Sequence, residues 1–173
     1  MMELNFRAAS LADLPKVVEL LIASGLPVAG VQAHIDNFLL AFQEGSLAGC
    51  AGLERYGATA LLRSVAVDER NRGKGLAQRL VAQQIAIAGA DGIESVLLLT
   101  TTAATFFERF GFQTISRAEA PASVQCSVEF QGACPATAAV MRLDIHRAPS
   151  LHESNGSMQR NSAGQSITET QRR

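Results

Sequence analysis

The sequence predicts an α+β fold in which a mixed, mostly antiparallel sheet is flanked by helices. Three observations predict it. Runs suited to strands over residues 36–43, 46–56 and 58–67 follow one another with only turn signals between them, at Glu44-Gly45 and Tyr56-Gly57, which reads as an antiparallel meander. An amphipathic helical stretch then begins near Leu76. Beyond it, ESVLLLT is short, continuous and apolar, as a strand buried on both faces and paired in parallel would be.

Taken in order, LNFRAA is a short strand, and Ser10 can cap a helix whose Leu14, Val17, Val18, Leu21 and Ile22 recur at helical spacing. Pro15 falls in the first turns, where proline is tolerated, and Gly25 marks the end. GLPVAG is a loop, and a short segment around Val31 to Ile35 is placed to lie over a site. After the meander and the turn DERNRGKG, the helix from Leu76 to Ala88 carries Leu76, Leu80, Val81, Ile85 and Ala88 on one side, and Ala90-Asp91-Gly92 breaks it. The apolar strand completes a β-turn-α-β crossover. Residues 103–109 read as a short helix ending at Phe110-Gly111, and FQTIS resumes as a strand. The stretch RAEAPASVQCSVEFQGACPAT has no clear period, and AAVMRLDI is expected as a last strand near the sheet centre. From His146 the chain turns to Ser, Asn, Gln, Glu and Arg, so one domain over 1–145 and a disordered tail over 146–173 are expected.

Composition narrows the function. A chain of 173 residues suits one domain. With 47% hydrophobic and 18% charged residues, no run approaches the ~20 apolar residues that span a bilayer, and MMELNFRAAS carries no export pattern. A cytoplasmic protein is the expectation, with no membrane partner. A formal net charge of -1 gives no reason to expect nucleic acid. Cys50, Cys126 and Cys134 match no zinc spacing and read as reduced, buried thiols, so no metal is expected. Soft thiolates would suit trivalent arsenic, but sequence gives Cys126 and Cys134 no proximity.

The informative block is LLRSVAVDERNRGKGLAQRLV, a strand, a turn and a helix. Gly73 and Gly75 let the backbone bend tightly, the first N–H groups of the helix are free, and Arg70, Arg72 and Lys74 add charge. Such a turn suits a pyrophosphate. It is not a nucleoside-triphosphate loop, because Lys74 precedes Gly75 and Leu76 where that loop needs Lys followed by Ser or Thr. A dinucleotide fingerprint is also poorly met, since Gln78 stands where a small residue belongs.

Arg70-Asn71-Arg72-Gly73-Lys74-Gly75 resembles the signature of the GCN5-related N-acetyltransferase (GNAT) superfamily, and Phe107-Glu108-Arg109-Phe110-Gly111-Phe112 stands where that family often has Tyr-x-x-x-Gly-Phe. The order of elements is similar over residues 4 to about 145. The resemblance implies acetyl-coenzyme A as co-substrate, with its pyrophosphate on the amides of Arg72, Gly73, Lys74, Gly75, Leu76 and Ala77. It also implies pantetheine along Val65, Ala66 and Val67, further contacts at Thr100, Phe106 and Phe107, and a sheet splayed between its two central parallel strands. A bulge there would aim an N–H near Val65 at the thioester oxygen. LLRSVAV, LLLTTTAATFFERFGF and FQGACPATAAVM look like the arsenic-resistance-associated members, and the Thr-Thr element is similar to the acetyltransferase domain of N-acetylglutamate synthases. Both point to an amino-acid-like acceptor.

Phe107 replaces the Tyr that many members use as an acid, and Thr100 replaces an Asn. A thiolate with an ordinary pKa near ~8.5 leaves without that acid. An ammonium acceptor must first lose a proton, for which Glu54 at a strand end is the first candidate and His34 the second. Arg63 or Ser64 can meet the acceptor, as can Thr101. The leading expectation is acetyl transfer to a small amine. Alternatives are a non-catalytic acetyl-coenzyme A sensor and a protein or peptide acetyltransferase, and a homodimer is among the states open to the chain.

Overall fold

The computed structural model describes residues 3–145, so the expected tail over 146–173 lies outside the described residues. Seven strands form one sheet in the order β1-β2-β3-β4-β5-β7-β6. They are β1 (Leu4–Ala8), β2 (Phe38–Gln43), β3 (Ser46–Tyr56), β4 (Thr59–Val67), β5 (Ser95–Thr100), β6 (Gln113–Ile115) and β7 (Ala139–Asp144). All neighbours run antiparallel except β4 and β5, which are parallel. The helices are α1 (Leu14–Ala23), α2 (Val31–His34), α3 (Leu76–Ala90), α4 (Ala104–Glu108) and α5 (Ala122–Gln125).

The predicted meander is β2, β3 and β4. Its first turn places Glu44 at φ 50° and Gly45 at φ 75°, the paired left-handed conformation that matches strand twist in a tight hairpin. Ser10 opens α1 through a short 3-10 turn, where the Asp13 carboxylate accepts the Ser10 N–H at 2.9 Å. Two expectations need correction. The last strand, β7, lies between β5 and the edge strand β6 rather than near the centre, because its register matches β5 along six residue pairs and β6 is only three residues long. The unreadable stretch after β6 is made of short turns and α5, too brief to show a period.

Alternation along β2 divides the core. Leu39 and Ala41 face α3, where Leu76, Leu80, Val81 and Ala88 pack with Leu53 and Leu62. Phe38 and Leu40 face α1 and α2, packing with Val17, Leu20, Leu21, Val31 and Ile35. Each fully buried leucine or valine contributes about 1.5–3 kcal/mol through area removed from water, and the two layers clamp β3 and β4 between them.

That clamp holds an irregularity. Cys50 pairs with Ala66 and Gly52 with Arg63, so Ser64 and Val65 together oppose Ala51, and Ser64 sits at φ 55°. The bulge bends β4 away from β5, whose pairing with β4 covers only Thr59–Leu61. Beyond Leu61 the two parallel strands splay. Gln84, on the apolar face of α3, is 2% exposed and donates from Nε2 to the Ala51 carbonyl at 2.6 Å and to the Asn37 carbonyl at 3.1 Å. One buried amide thereby ties α3 both to β3 beside the bulge and to the turn ahead of β2.

Candidate active site

The splay opens a cavity of about 800 Å³ between the second half of β4 and the end of β5, within the size range of small-molecule sites. Val65, Ala66 and Val67 form one wall, Thr100, Thr101, Phe106 and Phe107 the other, and Ser24 to Pro27 of the loop after α1 lies across it. A smaller cleft of about 190 Å³ continues along the turn before α3, lined by Val67, Arg72, Gly73, Gly75, Leu76 and Ala77 among others. Arg72 and Ala77 belong to both spaces, so the two form one track. Lys74 lies on the turn without lining either.

The turn is built for an anion. Gly73 and Gly75 have φ of 73° and 77°, a conformation that side chains rarely tolerate, and Gly75 is the residue from which α3 starts. The Arg79 N–H donates to the Gly75 carbonyl at 3.2 Å, so the amides ahead of it stand at the open end of a fifteen-residue helix, where its dipole is positive. The Asp68 carboxylate accepts the Arg70 N–H at 3.1 Å, and Arg72 Nε donates to the Val67 carbonyl at 3.1 Å, fixing the turn to the strand.

The far end of the large cavity is ionic. Arg63 and Ser64 both reach it. Arg63 is 4% exposed and each of its three side-chain nitrogens has a partner: Nη1 with Glu54, Nη2 with the Ala29 carbonyl at 2.7 Å and with Glu129 Oε1 at 2.9 Å, and Nε with Ser64 Oγ at 3.2 Å. Glu54 is fully buried and is not among the residues lining the cavity. Tyr56 donates to its Oε2 at 2.6 Å, and His34 Nε2 lies 3.9 Å from the same oxygen. Burial pushes the Glu54 carboxyl up, but hydrogen bonds from Ser127, Tyr56 and Arg63, with the charge of Arg63, outweigh it and hold the group below its ordinary value. The two candidate bases of the sequence therefore lie together beside Arg63, and neither is among the residues lining the cavity.

Glu129 was not visible to sequence reasoning. It follows α5 on a π-type turn, Glu129–Ala133, where Ala133 and Cys134 N–H groups donate to the carbonyls of Val128 and Glu129 at 2.9 and 3.2 Å. It lines the cavity at 6% exposure, and its Oε2 accepts the Cys134 thiol at 2.6 Å. Burial and then Glu129 push that thiol up to about 12, so it stays protonated. Cys126 is exposed and donates to the Ala122 carbonyl, and Cys134 is half-buried, so the expectation of three buried thiols holds for Cys50 alone. Cys50 is buried beneath the bulge, its thiol 3.3 Å from the Ser64 carbonyl. Ser24 Oγ is buried at the cavity wall with no hydrogen-bond partner among the described residues.

Residues 34–114 match the family model of the acetyltransferase (GNAT) domain. An uncharacterised N-acetyltransferase of Chlorobaculum tepidum is 29% identical over 125 residues, covering 69% of this chain and 80% of that one. An amino-acid acetyltransferase of Neisseria meningitidis is 31% identical over 93 residues, 53% of this chain but only 21% of that protein. The N-acetylglutamate synthase of Neisseria gonorrhoeae, solved with coenzyme A and N-acetyl-glutamate, superposes with a TM-score of 0.73 at 25% identity, over 85% of this chain and 36% of the synthase. This chain thus spans most of the first relative and a fifth to about a third of the other two. Residues 34–114 thus carry a match to an acetyltransferase (GNAT) domain, and the described fold is shared with a synthase solved with coenzyme A.

Proposed function

We infer that this domain transfers the acetyl group of acetyl-coenzyme A to the amine of a small, amino-acid-like acceptor. One observation carries the reading: the splay beyond Leu61 joins a glycine turn suited to pyrophosphate to a buried ionic end, along a single track. In that reading the pyrophosphate takes the amides of Arg72 to Ala77 with Lys74 nearby, and pantetheine follows Val65 to Val67 against Thr100, Phe106 and Phe107. The bulge frees backbone donors of β4 from the β5 ladder, so one can face the thioester oxygen as it becomes an oxyanion.

The acceptor enters from the ionic end. Arg63 has no open fork for its carboxylate, so the hydroxyls of Ser24, Ser64 and Thr101 are the donors proposed to hold it. Glu54 and His34 act here through Arg63, keeping it in place rather than meeting the amine. The amino-acid class rests on the Neisseria relatives, and a link to arsenic resistance rests on sequence motifs alone. Among the described residues no helix is long and apolar enough to cross a membrane; a cytoplasmic setting remains the proposal.

The test is release of coenzyme A thiol across amino acids, polyamines and a lysine-bearing peptide, with Gly75→Glu as the paired variant. Turnover with one small amine is expected. Gly75→Glu should lower acetyl-coenzyme A affinity at least tenfold in calorimetric titration, because a carboxylate repels pyrophosphate at a position already strained for any side chain. Tight coenzyme binding with no acetylated amine would favour a sensor, and turnover confined to the peptide would favour a protein acetyltransferase.

A further inference from the structure

We propose that Glu129 receives the ammonium group of the acceptor and takes its proton. The inference rests on the transferase reading above and assigns the atom that makes the nucleophile.

Position is the first argument. Among the carboxylates of the buried network, Glu129 lines the cavity and Glu54 does not. A general base must reach the proton it removes, directly or through one water. Free acceptor capacity is the second. Oε1 takes one N–H from Arg63 and Oε2 takes the Cys134 thiol, and each carboxylate oxygen has a further lone pair. Charge is the third. Glu54 and Glu129 bracket the one guanidinium of Arg63, so two carboxylates share a single buried cation. A cation completes the set, and an ammonium supplies it; an acceptor presenting its carboxylate first is repelled. The π-type turn and the thiol fix the carboxylate, so it meets the ammonium without reorganising.

The proton count closes. The acceptor ammonium gives one proton to Glu129, and the freed lone pair attacks the thioester carbon, forming the C–N bond. The tetrahedral adduct collapses with cleavage of the C–S bond. The coenzyme thiolate leaves with the bonding pair, and the second nitrogen proton goes to it through solvent. Glu129 returns its proton to bulk water.

The experiment compares wild type with Glu129→Gln in steady-state thiol release, using the amine that the wild type acetylates, from pH 5 to 9. The groups that face Glu129 are Arg63 from β4, Cys134 from its own turn and, through Arg63, Glu54 from β3; Arg117 stacks over Phe130 beside it. Glu129→Gln should lower kcat about 10²–10⁴-fold across that range, with acetyl-coenzyme A affinity by calorimetry kept within about twofold. Turnover in Glu129→Gln within about threefold of wild type would overturn the assignment. So would a loss of coenzyme affinity as large as the loss of turnover, which marks a structural role. A wild type that binds acetyl-coenzyme A yet acetylates no amine fails the transferase reading itself, and the assignment with it.

Discussion

Arg63 is the residue on which the acceptor end depends, because it is the cation between two buried carboxylates. Taking such a charge out of water costs several kcal/mol, and its partners offset that only while each is in place. Glu54, Glu129, the Ala29 carbonyl and Ser64 hydroxyl all converge on it from different parts of the chain. Arg63→Met keeps the length and removes the charge, leaving both carboxylates unpaired. The expected loss is about 3–5 kcal/mol in urea unfolding, with turnover falling as Glu129 loses its anchor. A variant within ~1 kcal/mol of wild type would mean that the network is solvated enough to do without its cation. Strand alternation, which is local information, put one of Arg63 and Ser64 toward the acceptor, and the bulge at Ser64 brings both to the cavity. Sequence reasoning could not pair Arg63 with Glu129, which is 66 residues away on a turn that shows no period, and it left Cys134 as one thiol among three.

At the scale of elements, the bulge in β4 and the helix α3 are one device. The bulge splays β4 from β5, and α3 supplies both the free amides at its start, proposed to take the pyrophosphate, and, two turns on, the Gln84 amide that donates to the Ala51 carbonyl beside the bulge. Gln84 lies on the same face as Leu80, Val81 and Ala88, so its burial breaks the binary pattern. Such a break marks a site in which packing alone is not enough. Gln84→Leu restores the pattern yet removes a buried hydrogen bond from each of two carbonyls, at Ala51 and Asn37, and should cost about 1–3 kcal/mol by thermal or chemical unfolding. It should also weaken acetyl-coenzyme A binding several-fold, since the bulge is then free to shift register. Unchanged stability would show that water replaces the amide. The elements themselves were legible where a period or a turn signal extended over enough residues: the meander, α3 and the apolar strand β5 were all readable. The bulge came only through family resemblance, and β7 was placed too centrally because an apolar run says a strand is covered, not which neighbours cover it.

For the whole molecule, the buried titratable groups fix how stability follows pH, and the sign can be worked out on both sides. Two bonds from the Arg7 guanidinium, at 2.9 and 2.7 Å, followed by the Ser10 N–H, hold Asp13 well below the ordinary carboxylate value, and Glu54 is held below it as well. In the unfolded chain these carboxyls titrate near ~4. The stability they contribute is therefore complete above that value and is lost as the pH falls from ~4 toward the folded values, because the unfolded chain takes up protons first. On the alkaline side burial pushes Cys50 up to about 12, and burial with Glu129 does the same to Cys134. An unfolded thiol ionises near ~8.5, so this contribution is complete below ~8.5 and is lost as the pH rises toward 12. The expected Tm profile is a plateau from about pH 5 to 8 with a fall on each side, measured by calorimetry in a reducing buffer that keeps the thiols free. Two variants separate the limbs. Asp13→Asn should flatten the acidic fall while lowering the plateau, since the charged bonds from Arg7 are lost at every pH. Cys50→Ala should soften the alkaline fall and leave the acidic one unchanged, because the Cys50 thiol sits under the bulge, in the layer that α1 and α2 cover. A Tm that stays level from pH 6 down to 3 would show that Asp13 and Glu54 are not held ionised by the fold, and the ionic account of the acceptor end would fall with it.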